Sequence, residues 1–343
     1  MRDIRWGRAR RGLGVRVLGI MVATLVAVLA GGGTSAWAVP FTIGDIFASV
    51  NNGKIEHFSK TGTLLETLDT GQGGFTTGSA FDSSGNFYVT NISATSVSKF
   101  AGPGDPHTPP SLFGSGYGGS PESIVFAANG DVLVGSVGGG IRELTSSGVF
   151  VKTIVPGVRV DWFDLGANQD TILFTQEGGA IQTASRSSGT QGAALTTAFG
   201  DFALRILKDG TILVANDTNV VHLTALGALI QTYDVTGVDG FFALNVDPDG
   251  KTFMTGSFGN DSLYRFDIAT GGLDNQLQTI VTDTSTFNLF GVSIFGEITQ
   301  GCGTNCGTTG VPEPATLLLL GSGLIVTIAV RRRARRSASG RRA

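Results

Sequence analysis

Ser79-Ala80-Phe81-Asp82-Ser83-Ser84-Gly85-Asn86-Phe87-Tyr88-Val89-Thr90-Asn91, followed after five residues by Val97-Ser98-Lys99-Phe100, contains one complete structural instruction. Asp82 to Gly85 supplies the side chains and the glycine that a tight hairpin needs, because such turns require positive φ. The apolar and β-branched stretches on either side read as strands. The unit recurs. Its apolar-x-polar-apolar column reappears as Ile55–Phe58, Val97–Phe100, Ile141–Leu144, Ile181–Ala184, Val220–Leu223 and Leu263–Phe266, at intervals of 42, 44, 40, 39 and 43 residues. An earlier column, each time just after a turn, comprises Phe87-Tyr88-Val89, Val132-Leu133-Val134, Ile172-Leu173-Phe174, Ile212-Leu213-Val214 and Phe253-Met254-Thr255.

A period of about 40 to 45 residues holding four short strands is that of a β-propeller blade. Residues 39–300 therefore predict an all-β, six-bladed propeller. The first unit opens at its second strand, near Asp45–Val50, and the last segment, Phe290–Phe295, resembles an inner strand without its blade. Pairing the two would close the ring and leave no open edge. The quoted unit resembles an NHL-type repeat. Propellers of that kind serve as binding platforms, lyases and lactonases, so the resemblance implies a fold without choosing an activity.

The ends of the chain are of another composition. Arg2, Arg5, Arg8, Arg10, Arg11 and Arg16 precede an apolar run from Val17 to Ala30, and Ala36 and Ala38 stand at the −3 and −1 places of a cleavage site. Residues 1–38 thus read as a secretory signal peptide, the alternative being an uncleaved anchor. Residues 301–311 form a linker rich in Cys, Gly and Thr; in an exported chain Cys302 and Cys306 are expected to pair as a small disulfide. There follow Pro312-Glu313-Pro314, an apolar run from Leu317 to Val330, and the cluster Arg331-Arg332-Arg333-Ala334-Arg335-Arg336, with residues 337–343 as a disordered tail.

Residues 312–336 resemble a PEP-CTERM sorting signal, with its motif, transmembrane helix and arginine cluster in order. The resemblance implies processing by an exosortase, a membrane transpeptidase of Gram-negative bacteria whose substrates accompany exopolysaccharide production. From Ala315 to Val330 a helix would reach about 24 Å against a hydrocarbon core of about 30 Å, which suits a transient inner-membrane anchor. The arginines stay on the cytoplasmic side, so the body lies outside the inner membrane, bound for the envelope, the cell surface or an extracellular matrix. A permanent anchor is the alternative.

Thirteen of the 24 basic residues lie in these two ends, which leaves residues 39–330 with 11 Lys/Arg against 26 Asp/Glu. That balance argues against a nucleic-acid partner. Catalytic signatures are equally sparse. His57 and His222 occupy the polar third place of the repeated column and are expected to be solvated; His107 lies in a Pro/Gly-rich loop. Asp247-Pro248-Asp249-Gly250 begins like a calcium loop but lacks the remaining ligands and reads as a turn. Glu122, Asp161, Asp201 and Asp239 each fall at or just before the start of an inner strand, where the chain enters the channel. Carboxylates gathered at one mouth repel one another unless solvated or bridged, and Ca2+ prefers such oxygen ligands. A cation or sugar site there is one reading and solvated loop carboxylates are the other; the body is expected to be a non-enzymatic binding or structural module. The alternative is a metal-dependent, lactonase-like hydrolase or lyase at the same mouth.

Overall fold

The computed structural model describes residues 39–102, 110–200, 202–276 and 289–297. The signal peptide, the linker cysteines, the sorting segment, the C-terminal tail, His107 and Asp201 lie outside these. Among the described residues no helix is long and apolar enough to cross a membrane.

Six antiparallel sheets follow one another around the ring. From inner to outer strand, blade 1 is Gly291–Ile294, Ile46–Ser49, Lys54–Phe58 and Leu64–Asp69. Blade 2 is Thr76–Phe81, Phe87–Asn91, Ser96–Phe100 and Ser111–Leu112, and blade 3 is Ser120–Phe126, Val132–Val137, Gly140–Leu144 and Phe150–Ile154. Blade 4 has only Phe163–Leu165, Thr171–Phe174 and Gln182–Ser185. Blade 5 is Leu204–Ile206, Ile212–Asn216, Asn219–Leu223 and Leu229–Tyr233; blade 6 is Phe241–Val246, Thr252–Ser257, Ser262–Asp267 and Leu273–Gln276. The last described strand closes the ring as expected, with Ile46 opposite Ile294 and Ser49 opposite Gly291.

Antiparallel pairing gives each blade two distinct ends. At the entry end the inner strand begins and the second strand turns into the third. At the exit end the inner strand turns into the second and the third into the outer. The exit turns after the inner strands share one geometry: Gly85, Gly130, Gly210 and Gly250 each donate a backbone hydrogen bond of 2.9 Å to the residue three before, at φ between +68° and +87°. Blade 4, whose turn has no glycine there, makes the same bond from Gln169 to Gly166 at φ +60°. Gln169 Oε1 also accepts from the Ala128 N–H at 2.8 Å, tying this turn to that of blade 3.

The middle strands are covered on both faces, which explains why they read as continuous apolar runs such as Val132-Leu133-Val134. Between blades 1 and 2, for example, Phe47, Phe81 and Phe87 meet at centroid distances of 4.9 to 5.1 Å. Polar ties also join neighbouring blades near the axis. Ser79 Oγ donates to Ser293 Oγ at 2.9 Å, Arg205 Nε to Asn245 Oδ1 at 2.8 Å, and Asn245 Nδ2 to the Val292 carbonyl at 3.1 Å.

Two expectations need correction. Blade 4 is not four-stranded: its outer segment makes only isolated bridges, Ile181 with Thr196 and Ala184 with Gln191. Ala184 stands where other blades carry a large apolar residue, so little packing holds that edge. His57 is not solvated but fully buried, stacked 4.3 Å from the Phe47 ring and bonded at 3.0 Å to both Asp45 and Glu66. The segment from Phe41 to Asp45 folds over it. Burial lowers its pKa, but the bonds to Asp45 and Glu66 and their charges outweigh this and leave it raised. His222 is also largely covered.

Candidate functional site

At the entry end, blades 3 and 4 bring together three carboxyls. Glu122 sits at a β-bulge in its inner strand, where the register slips between Pro121 and Ser123. Bulges re-aim side chains, and this one lies beside the channel. Asp161 precedes the inner strand of blade 4, its N–H held by the Thr175 carbonyl at 3.1 Å. Glu177 comes from the loop between the second and third strands of blade 4 and is held at φ +51°, a conformation a non-glycine residue adopts at a cost. One oxygen from each of the three lies within 4.8 Å of the others.

Among the described residues, one cation faces them. Arg159 Nε donates to both Asp161 oxygens at 2.8 and 2.7 Å, and its Nη2 to Glu177. Glu122 and Asp161 are buried whereas Glu177 is exposed. Burial, then the charge of Asp161 and a carboxyl–carboxyl hydrogen bond with it, hold the Glu122 pKa well above the ordinary carboxylate range. Burial and Asp161 likewise raise Glu177, against the opposing effect of Arg159. Of the three carboxyls, Glu122 is thus the one whose burial and neighbouring charge most favour the protonated form.

Beside this group the mouth is filled by rings. Trp162 of blade 4 meets Phe242 of blade 6 at 5.7 Å, a contact between non-adjacent blades that is made across the axis. Phe202 lies 4.8 Å from Phe242, and Phe290 extends the cluster to Phe75 at 4.6 Å. The Trp162 indole N–H is buried and has no acceptor among the described residues. Buried donors are normally paired, so this one is a candidate contact for a ligand oxygen.

Asp239 is not part of the carboxyl group. It is exposed in a separate entry-end cleft of about 360 Å³ between blades 5 and 6, lined also by Asp217, Val238, Phe258 and Asn260. Of the four carboxyls marked in the sequence, the structure thus gathers Glu122 and Asp161 and sets Asp239 apart. Glu177 and Arg159 carried no strand-start signal. The clue to Glu177 is geometric: a loop between second and third strands shares the entry end with every inner-strand start.

A second buried polar group lies toward the exit end of the channel. Asp164 accepts from the N–H groups of Leu165 and Ile206 at 2.8 Å each, while Glu297 leaves one oxygen, Oε2, without a partner among the described residues. Burial pushes the Glu297 carboxyl up to about 7, with Arg205 opposing and Asp164 reinforcing.

The profile of the PEP-CTERM protein-sorting motif matches residues 310–333. Among curated proteins no relative matches the chain. Solved structures share its architecture. A chain of a nidogen/laminin complex superposes with a TM-score of 0.61 at 17% identity, covering 73% of this chain and 97% of that one. The WD40 β-propeller domain of Doa1 gives 0.53 at 16%, covering 73% and 82%. A functionally unknown protein from Desulfotomaculum acetoxidans gives 0.52 at 14%, covering 73% and 98%. Such identities speak to the fold alone. The sorting motif marks the chain for export across the membrane, with exosortase processing, to the envelope or surface. The protein is a six-bladed β-propeller carrying a C-terminal PEP-CTERM sorting signal with its transmembrane region.

Proposed function

We propose that the propeller is a non-enzymatic binding module of the cell envelope or its exopolysaccharide matrix, and that the entry end of blades 3 and 4 takes a hard divalent cation. The observation that carries this reading is the convergence of Glu122, Asp161 and Glu177 on one point with Arg159 as their counter-charge among the described residues. An all-oxygen donor set of that charge suits Ca2+. A bound ion would displace the Glu122 proton and draw on Glu177, whose exposed side chain is free to adjust. Arg159, partly exposed, would swing off Asp161. The neighbouring rings and the unpaired Trp162 donor suit a sugar hydroxyl beside the ion, which links the site to a polysaccharide ligand.

The test is thermal unfolding of the purified protein with calcium or with chelator. Calcium should raise the midpoint in the unsubstituted chain and leave Asp161→Asn unmoved. Equal midpoints in calcium and chelator would remove the site. A second reading, hydrolase or lyase, is favoured by one feature: a buried carboxyl with its pKa pushed upward, beside another held by an arginine, resembles an acid–base pair. Chelator-sensitive turnover of lactones or polysaccharide fragments would select it.

A further inference from the structure

The exit end carries a pattern that the binding site does not use. In blades 1, 3 and 5 the outer strand begins with two apolar residues, Leu64-Leu65, Phe150-Val151 and Leu229-Ile230, and all six are exposed. Successive side chains in a regular strand alternate between faces, so one of each pair would normally turn inward. Here a register shift falls at the same place in each blade. Leu64 pairs with Phe58, Phe150 with Leu144 and Leu229 with Leu223, while the second apolar residue has no partner in the ladder. The bulge breaks the alternation and presents both side chains. Ile43, Val149 and Leu226 join them at the same end, Leu226 being 85% exposed in its turn. Of the eleven large apolar side chains exposed among the described residues, nine thus lie at the exit end; Leu112 stands partway up its blade, and Phe75 alone is at the entry end. Single exposed apolar residues need no explanation, but nine at one end, in repeated register, do.

The three pairs sit on alternate blades, hence at three points around the ring. An outer strand stands three strand spacings, about 14 Å, beyond its inner strand, so alternate outer edges are at least about 25 Å apart. Three points so placed fit a plane. The apolar segment of this chain outside the structure, Leu317–Val330, would as a helix be about 21 Å long and could not span them. The chain also leaves the propeller at this end, since Glu297 follows the inner strand of blade 1. From there to Ala315 are 18 residues, at most about 60 Å and as a flexible coil about 23 Å. A body held so close to a bilayer meets it at high effective concentration.

We propose that the exit end is a three-point lipid-contact surface that seats the propeller on the bilayer while the sorting segment is inserted, with the entry end turned outward. The contact is apolar. The acidic body gives no attraction to anionic headgroups, so neutral lipid should suffice and salt should not release it.

The test reconstitutes the full chain into phosphatidylcholine vesicles whose acyl chains carry bromine, a quencher of tryptophan emission. Leu226→Trp and Phe75→Trp are compared, each as its increment over the unsubstituted chain. Leu226→Trp should lose most of its added emission, in low or high salt, and Phe75→Trp should keep its own. Adding Leu64→Asp, Phe150→Asp and Leu229→Asp should restore emission at position 226 while the tail stays membrane-bound; near-ultraviolet dichroism checks the fold, and Leu229→Asp alone serves if the triple change unfolds. Equal quenching at both positions, quenching at neither, quenching that survives the aspartates, or quenching abolished by salt would each overturn the proposal. A detergent-solubilised dimer dispersed by the same aspartates would assign the surface to a second copy instead.

Discussion

The two ends of the propeller are built from the same strands, yet one is uniform and the other is not. At the exit end five hairpins repeat a single bond and a single left-handed backbone position, whether glycine or Gln169 occupies it. At the entry end one pair of neighbouring blades gathers three carboxyls and an arginine, another opens a cleft, and aromatic rings fill the axis. Uniform turns specify the fold, whereas divergent loops are free to carry a ligand site. Changes in the exit-end hairpins and closing strand should therefore alter stability and spare calcium binding, and changes in the entry-end loops the reverse.

The sharpest way to break this division is the closing strand. Ile294 is fully buried opposite Ile46, and Ile294→Ala should cost about 4 kcal/mol in denaturant unfolding without changing the calcium affinity of the folded fraction. A comparable weakening of calcium binding would show that the ends are coupled. Next in size is Glu297. Its folded pKa of about 7 lies above the ordinary 4.5, so its stabilising contribution is complete below pH 4.5 and is lost as pH rises through 7. Glu297→Gln, which stays neutral, should match the parent at pH 4 and exceed it by about 3 kcal/mol at pH 8. A constant difference across that range would contradict the burial account.

Two smaller effects sharpen the contrast. Glu122→Gln imitates the protonated side chain, so the fold should be unharmed while calcium affinity falls at least about tenfold, or ~1.4 kcal/mol. Gly130→Ala meets no closer atom than Ser146 Cβ at 3.8 Å, so only the backbone at φ +86° opposes it. The expected cost is about 1 kcal/mol with binding unchanged, and a much larger loss would mean the turn does more than reverse the chain.

Legibility in the sequence follows the same line. Blade count, hairpins and closure were readable because tight turns demand particular residues and buried strands demand apolar ones. The missing outer strand of blade 4 was not, since its edge depends on packing that Ala184 fails to supply. His57 looked solvated because its column is polar in every repeat; the covering segment from Phe41 to Asp45 belongs to blade 1 alone and has no counterpart to compare. Glu122 and Asp161 could be marked from their place at strand starts. Their separation from Asp239, and the arrival of Glu177 and Arg159, depend on which loops share an end and how far each reaches, and spacing along the chain does not encode that.

In the proposed binding reaction the entry-end carboxyls exchange a proton for a cation. Calcium titration calorimetry in two buffers of different ionisation enthalpy tests it most directly. The heat of binding should differ between the buffers, showing proton release as calcium displaces hydrogen from Glu122, and the difference should vanish in Glu122→Gln. Absence of calcium heat in both buffers, or a buffer-dependent heat that persists in Glu122→Gln, would contradict the account.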